Sequence, residues 1–270
     1  MMAPLALQDA ELVLDHRVAT LTMRRDDVRN ALTGTHLIDD IVRTVEWANT
    51  NPAVSVLVLT GAGAAFSAGG NVKDMANRGG DFAGDVAEVE ERYRRGIQRI
   101  PLALHQAEIP LIAAVNGPAI GAGFDLACMC DLRIGSPRTV FGETFLNLGI
   151  IPGDGGAWFL QRLVGYQRAA ELTLTGRLVK AEEALALGLL LEVVPEAELL
   201  ERTHALARRI AGQPPKALRL TKRLLKIAQR ENLPDFLDRC AGFQGMCHNS
   251  EEHLVAVNDF LARQRGGKSS

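Results

Sequence analysis

The chain has 270 residues, of which 47% are hydrophobic and 23% charged, proportions typical of a globular protein with a sizeable core. They argue against a disordered, collagen-like or disulfide-stapled chain. Thirty Lys and Arg against 32 Asp and Glu give a formal net charge of −2, which does not favour nucleic acid or an anionic membrane as a partner. Four cysteines are too few for a disulfide framework, so we expect a reducing, cytoplasmic environment.

Targeting and membrane segments are not indicated by the sequence. Asp9 and Glu11 come too early for a secretory leader, and no basic region precedes the first apolar residues. The longest apolar stretch, Leu111 to Ile120, is interrupted by Asn116 and Pro118, and it is well short of the roughly 20 residues that a membrane helix needs. We therefore expect a soluble protein.

The first half of the chain alternates predicted strands and helices. Apolar residues alternate with polar ones from Leu12 to Met23, which predicts two short strands joined by a hairpin. Apolar residues three and four positions apart between Thr35 and Asn51 predict an amphipathic helix, and the run from Val54 to Leu59 predicts a buried parallel strand. A long helix from about Asp85 to Gln106 and a strand from Leu111 to Val115 repeat this unit. The alternation predicts an α/β fold.

The second half adds two strands and then becomes helical. Strands are predicted at Leu132 to Ile134 and at Leu191 to Val194, and no strand signal follows Pro195. The helices predicted beyond that point are Glu196 to Ile210, Pro215 to Gln229, Leu233 to Gly242 and Ser250 to Arg263. We therefore divide the chain into a core of residues 1–195, which would carry the active site, and a helical C-terminal subdomain of residues 196–270.

Two glycine-rich turns each follow a buried strand, where open α/β sheets bind their ligands. The first runs from Gly61 to Asn71 and the second from Asn116 to Gly123. Small residues let a substrate oxygen approach the main chain, and the second turn leads into a helix whose first N–H groups carry positive partial charge. Both turns lack the third glycine of the dinucleotide fingerprint. The two turns are either simple tight turns or the two halves of an oxyanion hole.

Ordered motifs extend from the first hairpin to the last helix. The segments that carry them are Phe66 to Asp74, Ala114 to Ala127, Cys130 to Asp131, Leu148 to Gly156, Thr175 to Arg177 and Ala181 to Leu189. Together they resemble the crotonase (enoyl-CoA hydratase/isomerase) superfamily. The resemblance implies a crotonase-like spiral of repeated ββα units and a C-terminal helical part that forms trimers, commonly paired into hexamers. It also implies an acyl-CoA thioester substrate and no cofactor, because coenzyme A is part of the substrate.

The resemblance also implies which residues bind the thioester. By position, the oxyanion donors would be the backbone N–H groups of Gly70 and Ala122, which would hold the carbonyl as it becomes an enolate. A backbone donor tolerates alanine where the family usually has glycine. The coenzyme A part would be bound by backbone near Ala68 and by the basic residues Arg29 and Lys73. For both basic residues, a solvated surface charge is the alternative.

The acid–base residues depart from the family pattern. Hydratases of the family activate water with two glutamates, and these positions fall on Asp125 and on Phe145, which cannot transfer a proton. Glu143 is one substitute, because residues two apart on an extended segment point to the same side. Asp154 is the other, close to where some isomerases place their acting aspartate. The alternatives are a helix-dipole acid for Asp125, an exposed or salt-bridged acid for Glu143, and a helix cap for Asp154.

Three functional hypotheses follow. We expect an enoyl-CoA hydratase that adds water syn to a 2-enoyl-CoA, with Phe145, Met75 and Trp158 shaping the acyl pocket. A double-bond isomerase is the alternative, since a single carboxylate can move a proton between the α and γ carbons. A scaffold that binds acyl-CoA or RNA without turnover is the alternative from another class, and the RNA version depends on an arginine-rich helix.

Two other clusters favour structural interpretations. Four arginines of the long helix form a basic face with three glutamates beside it, and we expect a solvated helix whose charges pair with one another. These arginines are Arg92, Arg94, Arg95 and Arg99. His248 and His253 do not match a common zinc spacing, so we expect no metal site.

Overall fold

Two sheets form the centre of the protein in the computed structural model, which describes residues 5–266. The strands are β1 (Ala10–Asp15), β2 (Val18–Met23), β3 (Val56–Gly61), β4 (Leu111–Val115), β5 (Pro118–Ile120), β6 (Leu132–Gly135), β7 (Val140–Gly142), β8 (Leu178–Lys180) and β9 (Glu192–Val193). The larger sheet has the order β1-β2-β3-β4-β6-β9, and the smaller has the order β5-β7-β8. In the larger sheet β1 and β2 pair antiparallel, and the other neighbours pair parallel.

Helices cover both faces of the larger sheet and continue to the C-terminus. They are α1 (Leu37–Thr50), α2 (Val72–Asn77), α3 (Val86–Arg95), α4 (Arg99–Gln106), α5 (Ala122–Met129), α6 (Gly156–Val164), α7 (Tyr166–Thr175), α8 (Ala181–Ala186), α9 (Leu199–Ala211), α10 (Pro215–Ile227), α11 (Leu233–His248) and α12 (Glu251–Gly266). None of the described helices combines the length and apolar character that crossing a bilayer requires.

The parallel strands are buried on both faces, as the continuous apolar runs predict. Leu57 and Leu59 of β3 belong to the main core, which α1, α4 and α5 also line, whereas Val56 and Val58 pack on the opposite face against α9. Every residue of β3 and β4 is buried. The α/β prediction and the buried strands are confirmed, and the carboxyl ends of β3 and β4 both lead into the glycine-rich turns.

The N-terminal hairpin is confirmed with a two-residue turn. Asp15 pairs with Val18, and His16 and Arg17 both have positive φ angles, of 46° and 66°. A turn with two positive φ values matches the right-handed twist of the strands that it joins.

One prediction about local structure is wrong, and one feature of the fold was not predicted. The long helix from Asp85 to Gln106 is divided into α3 and α4 at Gly96, where an added Cβ would lie 2.6 Å from the carbonyl oxygen of Arg92. The smaller sheet was not predicted as a sheet, because each of its strands has only three residues, too few for an alternating pattern to emerge.

Helix α10 of the C-terminal part is joined to the core by a buried lysine and a half-buried arginine. Lys222 of α10 is 5% exposed, and its Nζ donates to Asp131 at 2.7 Å and to the carbonyl oxygen of Ile109. The guanidinium of Arg219 donates to carbonyl oxygens at the end of α1 and in the loop after it. Helix α9 lies beyond residue 195 and nevertheless packs on the larger sheet. The division of the chain at residue 195 therefore stays a prediction.

Candidate active site

Hydrogen bonds join the two glycine-rich turns. The backbone N–H groups of Phe66 and Ser67 donate to the carbonyl oxygen of Pro118, at 3.0 and 3.2 Å. In return the N–H of Ile120 donates to the carbonyl oxygen of Ser67 at 3.0 Å, and Ser67 pairs with Ala119 in a parallel bridge. These bonds fix the first turn against the start of the second, so both present their backbone to one place.

The close approach of the turns requires glycine at two positions. Gly69 has a φ of +77°, and a Cβ there would lie 2.5 Å from the carbonyl oxygen of Ile120 and 2.9 Å from the amide nitrogen of Ala122. A Cβ at Gly123 would lie 2.2 Å from the carbonyl oxygen of Ser67. Any larger residue would therefore separate the two turns.

Two backbone amides at this junction have no partner in the described part of the chain. The N–H groups of Gly70 and Ala122 donate to no acceptor among residues 5–266, and both residues border the same cavity. Ala122 is the first residue of α5, so its amide also carries the positive end of the helix dipole. This arrangement is what the predicted oxyanion hole requires, and each donor of such a pair contributes about a hundred- to a thousandfold in rate.

The cavity has about 440 Å³ of empty space including its open mouth, and its wall is mainly apolar. The residues that border it are Thr33, Gly70, Met75, Asp81, Phe82, Arg92, Tyr93, Ile97, Ala122, Phe145, Ile150 and Asp154. A concave, largely apolar space with a few polar groups is the usual form of a small-molecule site. Here the polar groups include the two unpartnered amides.

Three carboxyl groups meet beside this cavity. Asp125, Glu143 and Asp154 are 0%, 1% and 3% exposed, and Asp125 lies beside both of the others. The carboxyl oxygens of Asp125 and Glu143 accept no hydrogen bond from any other group of the described residues. A Cβ at Gly156 would lie 2.1 Å from Oδ1 of Asp125 and 2.4 Å from Oε1 of Glu143, so the two carboxyls converge over this glycine. Of the three acids, Asp154 borders the cavity in the part of the chain that the structure describes. We call these three residues the carboxyl cluster.

Each member of the carboxyl cluster comes from a different segment. Asp125 lies in the first turn of α5, its N–H bonded to the carbonyl oxygen of Gly121 at 3.0 Å, and Glu143 directly follows β7. Asp154 precedes Gly155, which is the cap residue of α6, and no side chain caps that helix. The helix-cap interpretation of Asp154 and the exposed-acid interpretation of Glu143 are therefore wrong. The extended segment on which Glu143 and Phe145 were expected to share a side ends before Phe145, because β7 ends at Gly142 and a 3-10 helix begins at Phe145.

Burial raises the pKa of every member of the carboxyl cluster. Burial, followed by the charges of Asp154 and Glu143, raises the pKa of Asp125 well above its usual range. The pKa of Glu143 is raised to about 7, mainly by burial, although the hydrogen bond with Asp125 acts in the opposite direction. Burial also raises the pKa of Asp154. The carboxylates also repel one another, which favours protonation within the cluster in the same direction as burial does.

Two of the three predicted acyl-pocket residues border the cavity, and one does not. The Phe145 ring lies 3.7 Å from the position of a Cβ on Gly121, and Cε of Met75 lies 2.6 Å from the position of a Cβ on Gly70. The prediction for Trp158 is wrong. Its ring is 40% exposed and packs against His105 in a separate groove. Residues two apart on a helix point in nearly opposite directions, and Gly156, two residues earlier, faces the carboxyl cluster.

The predicted coenzyme A contacts lie at the surface beside the first turn. The N–H of Ala68 donates to the carbonyl oxygen of Arg29 at 2.9 Å, which joins these two positions. The side chains of Arg29 and Lys73 are exposed, and neither residue borders the cavity. Their binding role stays a prediction.

Seven of the twelve residues that border the cavity were not predicted from the sequence, among them Phe82, Arg92 and Tyr93. Arg92 was assigned to a solvated helix face, and Phe82 and Tyr93 were not assigned a role, yet all three border the cavity. A Cβ at Gly153 would lie 3.2 Å from Cε1 of Tyr93, so this ring packs on the turn that carries Asp154. Burial, with the charges of Asp154 and Asp81, raises the pKa of Tyr93. Gly96 was the feature of the sequence that could have indicated this. It ends α3, so the last residues of that helix need not follow the solvated face of one long helix.

Comparisons with known proteins agree with one another. Residues 14–265 match the model of a family described as enoyl-CoA hydratase/isomerase. A crotonyl-CoA hydratase of Syntrophomonas wolfei is 32% identical over 97% of this chain and 98% of its own. The 1,2-epoxyphenylacetyl-CoA isomerase of Escherichia coli is 32% identical over 94% of this chain and 97% of its own. The crystal structure of an enoyl-CoA hydratase from Bacillus anthracis superposes with a TM-score of 0.86, at 31% identity over 95% of this chain and 97% of that one.

Proposed function

The chain belongs to the enoyl-CoA hydratase/isomerase family, and from that premise we propose that it adds water to the double bond of a 2-enoyl-CoA thioester. The observation that carries this proposal is the carboxyl cluster, which lies beside a cavity with two unpartnered amides. Hydration needs a base for the water and an acid for the α carbon, and a group of carboxyls that shares protons supplies both at one pH.

The amides of Gly70 and Ala122 would act on the thioester oxygen. As water attacks the β carbon, electrons move through the conjugated system and negative charge develops on that oxygen. Two fixed N–H groups stabilise the charge without reorganising at the moment of reaction. Protonation of the α carbon then returns the electrons and gives the 3-hydroxyacyl thioester.

The carboxyl cluster would transfer the protons. Asp154 borders the cavity, so the proton released by water enters the cluster there. Asp125 lies beside both Asp154 and Glu143, and burial raises its pKa well above its usual range, so in this mechanism it would hold a proton between transfers. The cluster then returns a proton to the α carbon through Asp154. In this mechanism Glu143 keeps the cluster protonated, and the Phe145 ring forms part of the acyl wall.

Incubation with a 2-enoyl-CoA tests the proposal. The absorbance of the conjugated thioester is expected to fall, and the product is expected to gain the mass of one water. Unchanged absorbance and mass with several short 2-enoyl chains would contradict hydration.

A double-bond isomerase is the second candidate, and one observation favours it. Asp154 is the only member of the carboxyl cluster that borders the cavity within residues 5–266, and Phe145 also lies on that wall. One base suffices to move a proton between the α and γ carbons. A 3-enoyl-CoA would then become conjugated with no change of mass, which separates this activity from hydration.

The assembly, location and cofactor requirement are further parts of the proposal. Exposed apolar side chains on the last two helices support a trimer or a pair of trimers. These side chains are Leu233, Leu237, Met246, Leu254, Val255, Val257, Phe260 and Leu261. Light scattering would test this assembly.

The four cysteines are free thiols, which is consistent with the cytoplasm. No separate cofactor is needed for this chemistry, since amides and carboxyls supply the oxyanion donors and the proton transfer.

A further inference from the structure

Arg92 brings an unpartnered cation to the wall of the cavity. Its side chain is half-buried at the end of α3, and Nη1 of the guanidinium is shielded from solvent with no hydrogen-bond acceptor in the described residues. A buried charged donor without an acceptor is costly, so such groups are ordinarily paired. The mechanism proposed above makes no use of this group.

The helix itself explains why Arg92 lacks a partner. Arg94 forms an ion pair with Glu90 at 2.5 Å, and Arg95 forms one with Glu91, in each case four residues back along α3. The corresponding residue for Arg92 is Glu88. Its carboxylate instead accepts a hydrogen bond from the N–H of Asp85 at 2.9 Å in a capping box. Arg92 is therefore left without the ion pair that its neighbours form, and it faces inward.

The acids that border the cavity do not neutralise this cation. Asp81 and Asp154 both lie on the wall, and neither forms an ion pair with Arg92 in the part of the chain that the structure describes. Asp81 is exposed at the surface, and Asp154 belongs to the carboxyl cluster. The cavity thus contains a cation that is available to a ligand.

The position of Arg92 indicates which part of the ligand it would meet. It shares the cavity with the amides of Gly70 and Ala122, which hold the thioester carbonyl in the proposed function. The candidate coenzyme A residues, Arg29 and Lys73, do not border this cavity. Arg92 therefore faces the acyl group rather than the coenzyme.

We infer that the protein selects an acyl-CoA whose acyl chain carries a carboxylate, and that Arg92 binds this carboxylate. The planar guanidinium offers two parallel donors to a carboxylate, and an anion also compensates its charge. Phe82, Tyr93 and Ile97 provide apolar wall for the methylene carbons between thioester and carboxylate. The inference rests on the proposed function for the placement of the acyl group, and it makes the substrate the coenzyme A monothioester of a dicarboxylic acid.

Binding of unreactive ligands tests this inference without depending on turnover. Saturated acyl-CoA thioesters of several chain lengths would be compared by calorimetry with counterparts of equal length in which the terminal methyl is a carboxylate. We expect the wild type to bind a carboxylate-ended thioester about 10- to 100-fold more tightly than its methyl-ended counterpart, the range for one charged hydrogen-bonded contact. The change Arg92→Met is expected to remove this preference and to leave the affinity for methyl-ended thioesters unchanged or higher.

Arg94→Met is the matched control, because Arg94 lies on the same helix and is paired at the surface. It is expected to keep the preference. Equal affinity of the wild type for both kinds of thioester at every length, or an equal loss for both in Arg92→Met, would overturn the inference. Turnover of the unsaturated counterparts reports separately on the proposed function, since a failed hydration with a preserved carboxylate preference would contradict only the reaction.

Discussion

The two sides of the active site are built by different means. The proposed oxyanion side consists of two turns that main-chain hydrogen bonds hold together, where the amides of Gly70 and Ala122 have no acceptor among the described residues. The carboxyl side consists of three side chains from separate segments, gathered over Gly156. Stabilising a thioester enolate is common to several reactions, whereas the number and protonation of the acids decide which reaction follows. We therefore expect substitutions to affect the two sides in different ways.

The largest effect is expected on the carboxyl side, from Asp154→Asn. An amide keeps the shape of the side chain and cannot take a proton, so kcat should fall by about 100- to 10,000-fold, the usual contribution of general acid–base catalysis. Steady-state kinetics with the accepted enoyl-CoA measure this. Asp81→Asn is the control, since Asp81 borders the same cavity but is exposed. A kcat within a few-fold of wild type for Asp154→Asn would remove Asp154 from the mechanism.

The next effect is expected on the oxyanion side, from Gly69→Ala. The new Cβ would press on the carbonyl of Ile120 and on the amide of Ala122, in a backbone conformation with positive φ that alanine disfavours. Displacing one oxyanion donor should lower kcat by about 100-fold or more. Gly79→Ala is the control, because a Cβ there meets nothing within 4 Å. Equal activity of both variants would show that the close contact of the turns is unimportant.

A smaller effect, on stability, is expected from Glu143→Gln. The pKa of Glu143 is raised to about 7 in the folded protein, so folding favours the protonated carboxyl. This contribution is complete below the unfolded-state pKa and is lost as pH rises through about 7. Relative to wild type, Glu143→Gln should therefore gain stability between pH values near 4 and 8, by up to about 3 kcal/mol.

Urea unfolding at several pH values measures this difference. Glu182→Gln, at an exposed position of α8, should show no such trend. A difference between Glu143→Gln and wild type that stays constant with pH would contradict the raised pKa.

The smallest effect is expected from Ala122→Gly. The working group at this position is the backbone N–H, which glycine also provides, so kcat should stay near that of wild type. Measuring kcat of Ala122→Gly and of Asp154→Asn under the same conditions compares the oxyanion side with the carboxyl side directly. A large loss in Ala122→Gly would mean that the methyl group itself positions the substrate.

The same contrast explains how far the sequence could predict the site. Glycine turns after consecutive strands predict where the chain exposes its backbone, and the resemblance to the family implies Gly70 and Ala122 as the donors within those turns. Asp125, Glu143 and Asp154 are all predicted as candidates from the sequence, and the structure brings them together beside the cavity. Their mutual contact was not predictable, since it depends on how α5, β7 and α6 pack together and on the absence of a Cβ at Gly156.

The errors in the sequence analysis also have physical causes. Trp158 was placed at the cavity because the rotation of α6 about its axis could not be known, and the helix turns this ring toward His105 instead. Arg92 was assigned to solvent because its spacing from glutamates resembles that of Arg94 and Arg95. The capping box that occupies Glu88 and the helix break at Gly96 change its surroundings. Such effects arise from tertiary packing and leave little signal in a local pattern.

The measurement that tests proton transfer against a bound thioester most directly is exchange of the α hydrogens of a saturated acyl-CoA in deuterated water. Exchange requires only the oxyanion donors and a base, so it is independent of whether the overall reaction is hydration or isomerisation. We predict that the wild type and Ala122→Gly incorporate deuterium at the α carbon, detected by mass, and that Asp154→Asn does so at least about 100-fold more slowly. No exchange by the wild type, or equal exchange by Asp154→Asn, would contradict the assignment of the carboxyl cluster as the acid–base group.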